Sequence, residues 1–159
     1  MTDDLLEHVE VIPAAPSHFA WMLSTFQEQI ALLPLTPWSV ARAQGDALAR
    51  ILRGGLGRSA VVVPRGEEYH GDTLGWAAAL DGRILFAYVR EPLRRQGFGA
   101  QLITSLTNLV PVPVAYWTPE IEQVAAHGFP VCYDIHAFRA LCSYVRRGPR
   151  HHQTERAHA

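Results

Sequence analysis

The segment best equipped for chemistry is Arg94-Arg95-Gln96-Gly97-Phe98-Gly99-Ala100. It follows an apolar run at 83–89 and precedes Leu102, Ile103, Leu106 and Leu109, which recur at helical spacing. A glycine turn opening a helix leaves backbone N–H groups unpaired and directed outward. The helix dipole adds positive potential at the same place. Together they suit a phosphate or pyrophosphate. Glycine contributes twice there, by accepting positive φ and by omitting the Cβ that would block the ligand. Each hydrogen bond to a charged oxygen is worth about 1.5–3 kcal/mol, so a few can anchor such a ligand without a cationic side chain. A plain strand-to-helix turn packed with small residues would use the same glycines.

Two rival phosphate motifs fail on composition. A dinucleotide fingerprint needs a third glycine where Leu102 stands, and a suitable acidic residue about 20 positions on, which is lacking. A Walker A loop needs Lys, and all 14 Lys/Arg residues are Arg. The same absence excludes a Schiff-base Lys and a kinase strand Lys.

Around this turn the chain spells out alternating elements. Residues 7–12 read as a strand stopped by Pro13 and Pro16. Ser17 can cap a helix to about Leu33. Thr36 and Pro37 fit the cap and first position of a second helix to about Arg53, with Val40, Leu48, Ile51 and Leu52 on its buried side. The β-branched run 59–63 suits a strand, and 65–72 is polar and turn-like. Asp81-Gly82 between apolar runs at 73–80 and 83–89 signals a hairpin. The glycine turn then opens a helix to about Leu109, and 112–117 reads as a strand. Thr118-Pro119 starts a short helix ending at Gly128. Residues 129–135 and 138–145 are expected as two final strands, although Phe138, Leu141, Cys142 and Val145 also fit a helical period. The expected class is an α+β domain around a mixed sheet, ordered β-α-α-β-β-β-α-β-α-β-β. One domain over 1–145 is expected, with a basic, His-containing tail at 146–159 that has no apolar content and is expected to be disordered.

Composition narrows the function classes. The chain has 159 residues, 48% hydrophobic and 18% charged, which is globular and long enough for a core without staples. A net charge of −1 disfavours a nucleic-acid-coating role. The acidic start Met1-Thr2-Asp3-Asp4 is unlike a signal peptide, and no apolar run reaches the ~18 residues of a membrane helix. Cys132 and Cys142 form no Cys-x-x-Cys pair and are expected to be free thiols in a soluble cytoplasmic protein. His151-His152 sits in the tail, and no metal site is assigned.

The string YVREPLRRQGFGAQLI (88–103) resembles motif A of the Gcn5-related N-acetyltransferases, the GNAT superfamily, with Arg94, Gly97 and Gly99 in the signature positions. IPAAPSHFAWM (12–22) is similar to the family's first strand and helix, and IEQVAAHGF (121–129) to its late helix ending in Gly-Phe. The resemblance spans about 10–145. It implies the GNAT fold and acetyl-CoA or another acyl-CoA as cofactor. Gln96, Gly97, Phe98, Gly99 and Ala100 would hold the pyrophosphate through backbone N–H groups, with the Arg94 and Arg95 side chains near it. Tyr88 and Val89 would pair with the pantetheine like an added strand, admitted by a splay between this strand and the one at 112–117. The implied reaction is acyl transfer to an amine by direct attack, the acceptor being a small molecule or a peptide. Members are often dimers, so a homodimer is compatible with the resemblance.

The chain also departs from the family pattern. The Tyr that commonly protonates the CoA thiolate, four residues before the glycine of Gly-Phe, is Val124 here. Tyr133 and Tyr116 are the nearest replacements in sequence, with core or sheet-surface positions as their alternative. Glu91 is the first candidate for the general base that an amine needs before attack. Asp134, His127 and His136 follow. Trp38 sits where the fold forms its acceptor pocket, whereas Trp76 and Trp117 are expected in the core. Two further readings stay open: a GNAT-fold protein that binds CoA or a partner without catalysis, and a phage-type enzyme modifying nucleic acid, its arginine tail touching phosphate.

Overall fold

The computed structural model describes residues 8–34, 36–65 and 73–146. Six strands lie in one sheet in chain order: β1 (Val9–Pro13), β2 (Arg58–Pro64), β3 (Gly75–Leu80), β4 (Arg83–Val89), β5 (Val112–Val114) and β6 (Val131–Tyr133). The first four form an antiparallel meander, while β5 and β6 run parallel to β4. Helices α1 (Phe19–Ala31) and α2 (Trp38–Arg53) connect β1 to β2. Helices α3 (Phe98–Leu106) and α4 (Pro119–Ala126) are the crossovers that parallel strands require, and α5 (Ile135–Cys142) follows β6. Among the described residues no helix is long and apolar enough to cross a membrane.

The sheet is covered on both faces, as its near-continuous apolar strands demand. On one face Trp76, Ala78, Leu85 and Phe86 pack with Met22 and Phe26 of α1, Leu48 and Ile51 of α2, and Leu141 of α5. On the other, Val62, Ala77, Ala87 and Val89 pack with Phe98, Leu102 and Ile103 of α3 and Ile121 of α4. The β3–β4 turn works as the sequence implies: Asp81 (φ 50°) and Gly82 (φ 76°) are both left-handed, the geometry that a two-residue hairpin needs.

Several expectations are corrected. The last element, 138–145, is not a strand: Ile135–Cys142 is helical because Asp134 caps it by accepting from the His136 N–H at 2.8 Å, and Ala137 and Leu141 bury one face. The order therefore ends β-α, within the same α+β class. Ser17 does not cap α1; it lies in a 3-10 turn, Pro16–His18, that leads straight into the helix. Pro37 is the cap of α2 and not its first helical residue, since it is extended and its carbonyl accepts from the Val40 and Ala41 N–H groups. Val40 is 41% exposed, because the buried stripe of α2 runs through Ala41, Leu48 and Leu52. α3 stops at Leu106, where Thr107 turns extended, and leaves Leu109 exposed. Trp117 lies past the end of β5 and is 44% exposed, unlike Trp76, which is fully buried. The turn-like stretch 66–72 and the tail 147–159, with its His pair, lie outside the described residues.

Two polar contacts sit inside the apolar layers. The Trp76 Nε1–H donates to Thr25 Oγ1 at 2.7 Å, and the Tyr116 hydroxyl donates to Gln44 Oε1 at 2.7 Å. Tyr116 and Gln44 are both buried, and burial pushes the Tyr116 phenol far above its usual range. Tyr116→Phe should cost about 1–3 kcal/mol in urea denaturation, because Gln44 Oε1 is left buried without its donor.

At the entry to α1, His18 Nδ1 accepts the Ala15 N–H at 2.9 Å, and burial lowers its pKa. The neutral ring is the folded form, so the unfolded chain binds the proton more readily. Stability from this group is therefore present above the unfolded value of about 6.5 and is lost as pH falls through it to the folded value. Unfolding free energy measured from about pH 7.5 to about pH 5 should fall more steeply in wild type than in His18→Gln.

Candidate functional site

The site is built where β4 ends. In the β3–β4 ladder, Ala78 pairs with Phe86 and Ala79 with Ile84, so Leu85 is an extra residue and β4 bulges there. Leu85 and Phe86 accordingly pack on the same face. A bulge bends its strand and increases the local twist. The only registered β4–β5 pair, Ile84 with Val114, lies just before the bulge. Beyond it no further β4–β5 pair is registered among the described residues.

Past Val89 the chain forms a 3-10 turn, Glu91–Leu93, and then the glycine turn. Arg95 is left-handed (φ 68°), which costs a non-glycine residue roughly 1–2 kcal/mol. Gly97 is left-handed too (φ 86°) and caps α3 with no side-chain bond. The N–H groups of Phe98, Gly99 and Ala100 in the first turn of α3 have no earlier helical carbonyl to reach. A Cβ on Gly97 would meet nothing within 4 Å, so the turn is open above it. A Cβ on Gly99 would stand 3.4 Å from Val124 Cγ2 across the gap to α4.

α4 is placed by its own cap. Thr118 Oγ1 accepts from the Ile121 N–H at 3.4 Å, Pro119 occupies the first turn, and Glu120 and Glu122 complement the dipole. Between α4 and the glycine turn lies a cavity of about 400 Å³. Of the residues singled out from sequence, Val89, Arg94, Arg95, Gly97, Phe98, Gly99 and Ala100 line it. Tyr88 and Gln96 do not, although both adjoin it in sequence. Gln96 Nε2 donates to the Pro92 carbonyl at 3.3 Å, and its buried Oε1 has no partner.

The candidate acid–base residues are dispersed. Glu91 is exposed in its 3-10 turn, and Tyr133 is 52% exposed on β6; neither lines the cavity. Val124 does line it and presents an apolar side chain there. His127 also lines it, with Nδ1 2.7 Å from the Gln123 carbonyl. A carbonyl can only accept, so Nδ1 carries the proton and Nε2 keeps a lone pair in the neutral ring. Asp134 is committed elsewhere, capping α5 and pairing with Arg83 Nε at 3.1 Å. His136 lies exposed on α5. Cys132 and Cys142 are free, and burial pushes the Cys142 thiol up, which makes it a poorer nucleophile. Trp38 is 55% exposed at the start of α2.

Sequence reasoning missed Glu120. It is only 9% exposed, lines the cavity, and forms an ion pair with Arg94 at 2.8 Å. Nothing local in the sequence signals a contact between residues 26 positions apart.

No family model and no curated protein matches the chain. Solved structures do. A Gcn5-related N-acetyltransferase from Rhodopseudomonas palustris superposes with a TM-score of 0.51 at 17% identity, covering 76% of this chain and 80% of the other. A candidate acetyl transferase from Pyrococcus furiosus gives a TM-score of 0.54 at 13% identity, covering 79% and 95%. The chain has the GNAT fold.

The two glycines should respond oppositely in stability. Gly97→Ala forces a methyl into left-handed backbone and should cost about 1 kcal/mol, whereas Gly99→Ala, in ordinary helical backbone, should be neutral or gain up to about 1 kcal/mol in urea denaturation.

Proposed function

We propose that this chain is an acyl-CoA-dependent N-acyltransferase, with acetyl-CoA as the donor to test first and an amine, small or peptidic, as the acceptor. The observation that carries this reading is the doubly left-handed turn at Arg95 and Gly97, opening α3 onto the cavity between it and α4. The residues present fit such a donor: N–H groups of Phe98, Gly99 and Ala100 suit its diphosphate, and the open space above Gly97 leaves room for it. When bound, acyl-CoA supplies a thioester carbonyl open to attack by a neutral amine. The chain's own part is to hold the diphosphate, to line the cavity with Val89, Leu93, Val124 and Phe129, and to move protons. Glu91 is the candidate base, as the first carboxylate beyond β4. Tyr133 is the candidate acid, with His127 Nε2 as the alternative inside the cavity. Among the described residues no Cys or Ser lines the cavity, which fits direct attack.

Val124 favours a second reading, a GNAT-fold protein that binds CoA without turning it over. Loss of a general acid costs typically about 10²–10⁴-fold in rate, enough to leave binding alone. Release of free CoA from acetyl-CoA in a panel of amines separates the two.

Thermal melts test the shared premise. Acetyl-CoA at about 100 times its dissociation constant should stabilise the fold by about 2.7 kcal/mol, a rise of roughly 5–10 °C. Gly97→Ala should lose most of that rise relative to its own melt without ligand. A wild-type melt unmoved by acetyl-CoA overturns the assignment.

A further inference from the structure

The Arg94–Glu120 pair spans the cavity, tying the glycine turn to the first turn of α4. Arg94 is held three ways. Its Nη2 meets Glu120 Oε1 at 2.8 Å, its Nε–H donates to the Val89 carbonyl at 2.9 Å, and its guanidinium carbon lies 5.8 Å from the Tyr88 ring centre. The Val89 carbonyl is the last of β4 and points away from β3, since the next N–H, that of Arg90, donates to Leu74. Glu120 is nearly buried, among Val89, Leu93, Val124 and Phe129 in the cavity wall. A buried carboxylate needs a charged partner, and among the described residues Arg94 is the cation paired with it. The wall of an anion-binding turn thus carries a negative charge, and the cation best placed to help an incoming phosphate is already engaged.

We propose that Glu120 is a positioning residue that latches Arg94 across the site, so that only a polyanionic ligand, by competing for Arg94, opens it. This rests on the acyl-CoA reading for its ligand, but its logic requires only a diphosphate. A neutral pantetheine chain offers Arg94 no replacement for Glu120, whereas a diphosphate exchanges one anionic partner for another. Glu120 therefore lowers affinity for the diphosphate, which must displace it from Arg94.

Isothermal titration with three probes tests this: CoA, pantetheine and inorganic pyrophosphate. Glu120→Gln keeps the shape and removes the charge, so CoA and pyrophosphate should bind about tenfold tighter while pantetheine is unchanged, since one charge-assisted hydrogen bond is gained. Glu120→Asp, which keeps the charge, should behave like wild type. Arg94→Gln should weaken CoA and leave pantetheine alone, and it serves as the independent arm if Glu120→Gln does not fold. A purely structural role for the pair would weaken all three probes together in Glu120→Gln, and that result overturns the latch, as does unchanged CoA affinity. If neither protein binds CoA but pyrophosphate still tightens, the latch stands and the acyl-CoA reading falls.

Discussion

The site depends on one extra residue in a strand. Leu85 breaks the β3–β4 register, and the registered pairing of β4 with β5, Ile84 with Val114, lies just before it. Past Ile84 no pair with β5 is registered, and Val89 at the end of the strand forms part of the cavity wall. The cost of the bulge is local and is offset on the opposite face, where Leu85 and Phe86 both enter the aromatic layer around Phe26, Trp76 and Tyr116. Edge-to-face ring pairs of this kind contribute about 0.5–1.5 kcal/mol each beyond their burial. The opening on one side of the sheet is thus anchored by packing on the other.

A second constraint follows at the end of β4. The chain must pass from strand to helix within a few residues while leaving the helix's first N–H groups uncovered. It does so by placing both Arg95 and Gly97 in left-handed backbone. A non-glycine residue at positive φ is strained unless its surroundings hold it there, and such strain concentrates at functional sites. Here the flanking residues are tied down, Arg94 to Val89 and Glu120, and Gln96 to Pro92. The ion pair therefore has a structural consequence as well, since it fixes the residue immediately before the strained one.

Much of this was legible from sequence where the signal is local. Asp81-Gly82, Gly97 before a helical period, and Thr118-Pro119 each specify backbone geometry within a few residues, and each stands where it was expected. What failed was decided by distant partners. The segment 138–145 has enough apolar content for either period, and the choice fell to the Asp134 cap and the burial of Ala137 and Leu141. Leu109 and Trp117 are apolar but lie past the ends of their elements, so hydrophobicity alone overestimated their burial. The bulge at Leu85 leaves no mark in composition, because Leu suits either face.

Glu120 shows why a site's electrostatics are harder to read than its backbone. In sequence it is an ordinary acidic residue in a helix's first turn, stabilised by the dipole like Glu122 beside it. Only the fold brings it against Arg94, and only the cavity's apolar lining makes that meeting consequential, since screening by water would leave an exposed pair worth little. The same apolar lining includes Val124, so the wall that strengthens one ion pair offers no proton at that position. Both features belong to α4, whose Thr118 cap and Ile121 anchor set which of its side chains face the glycine turn.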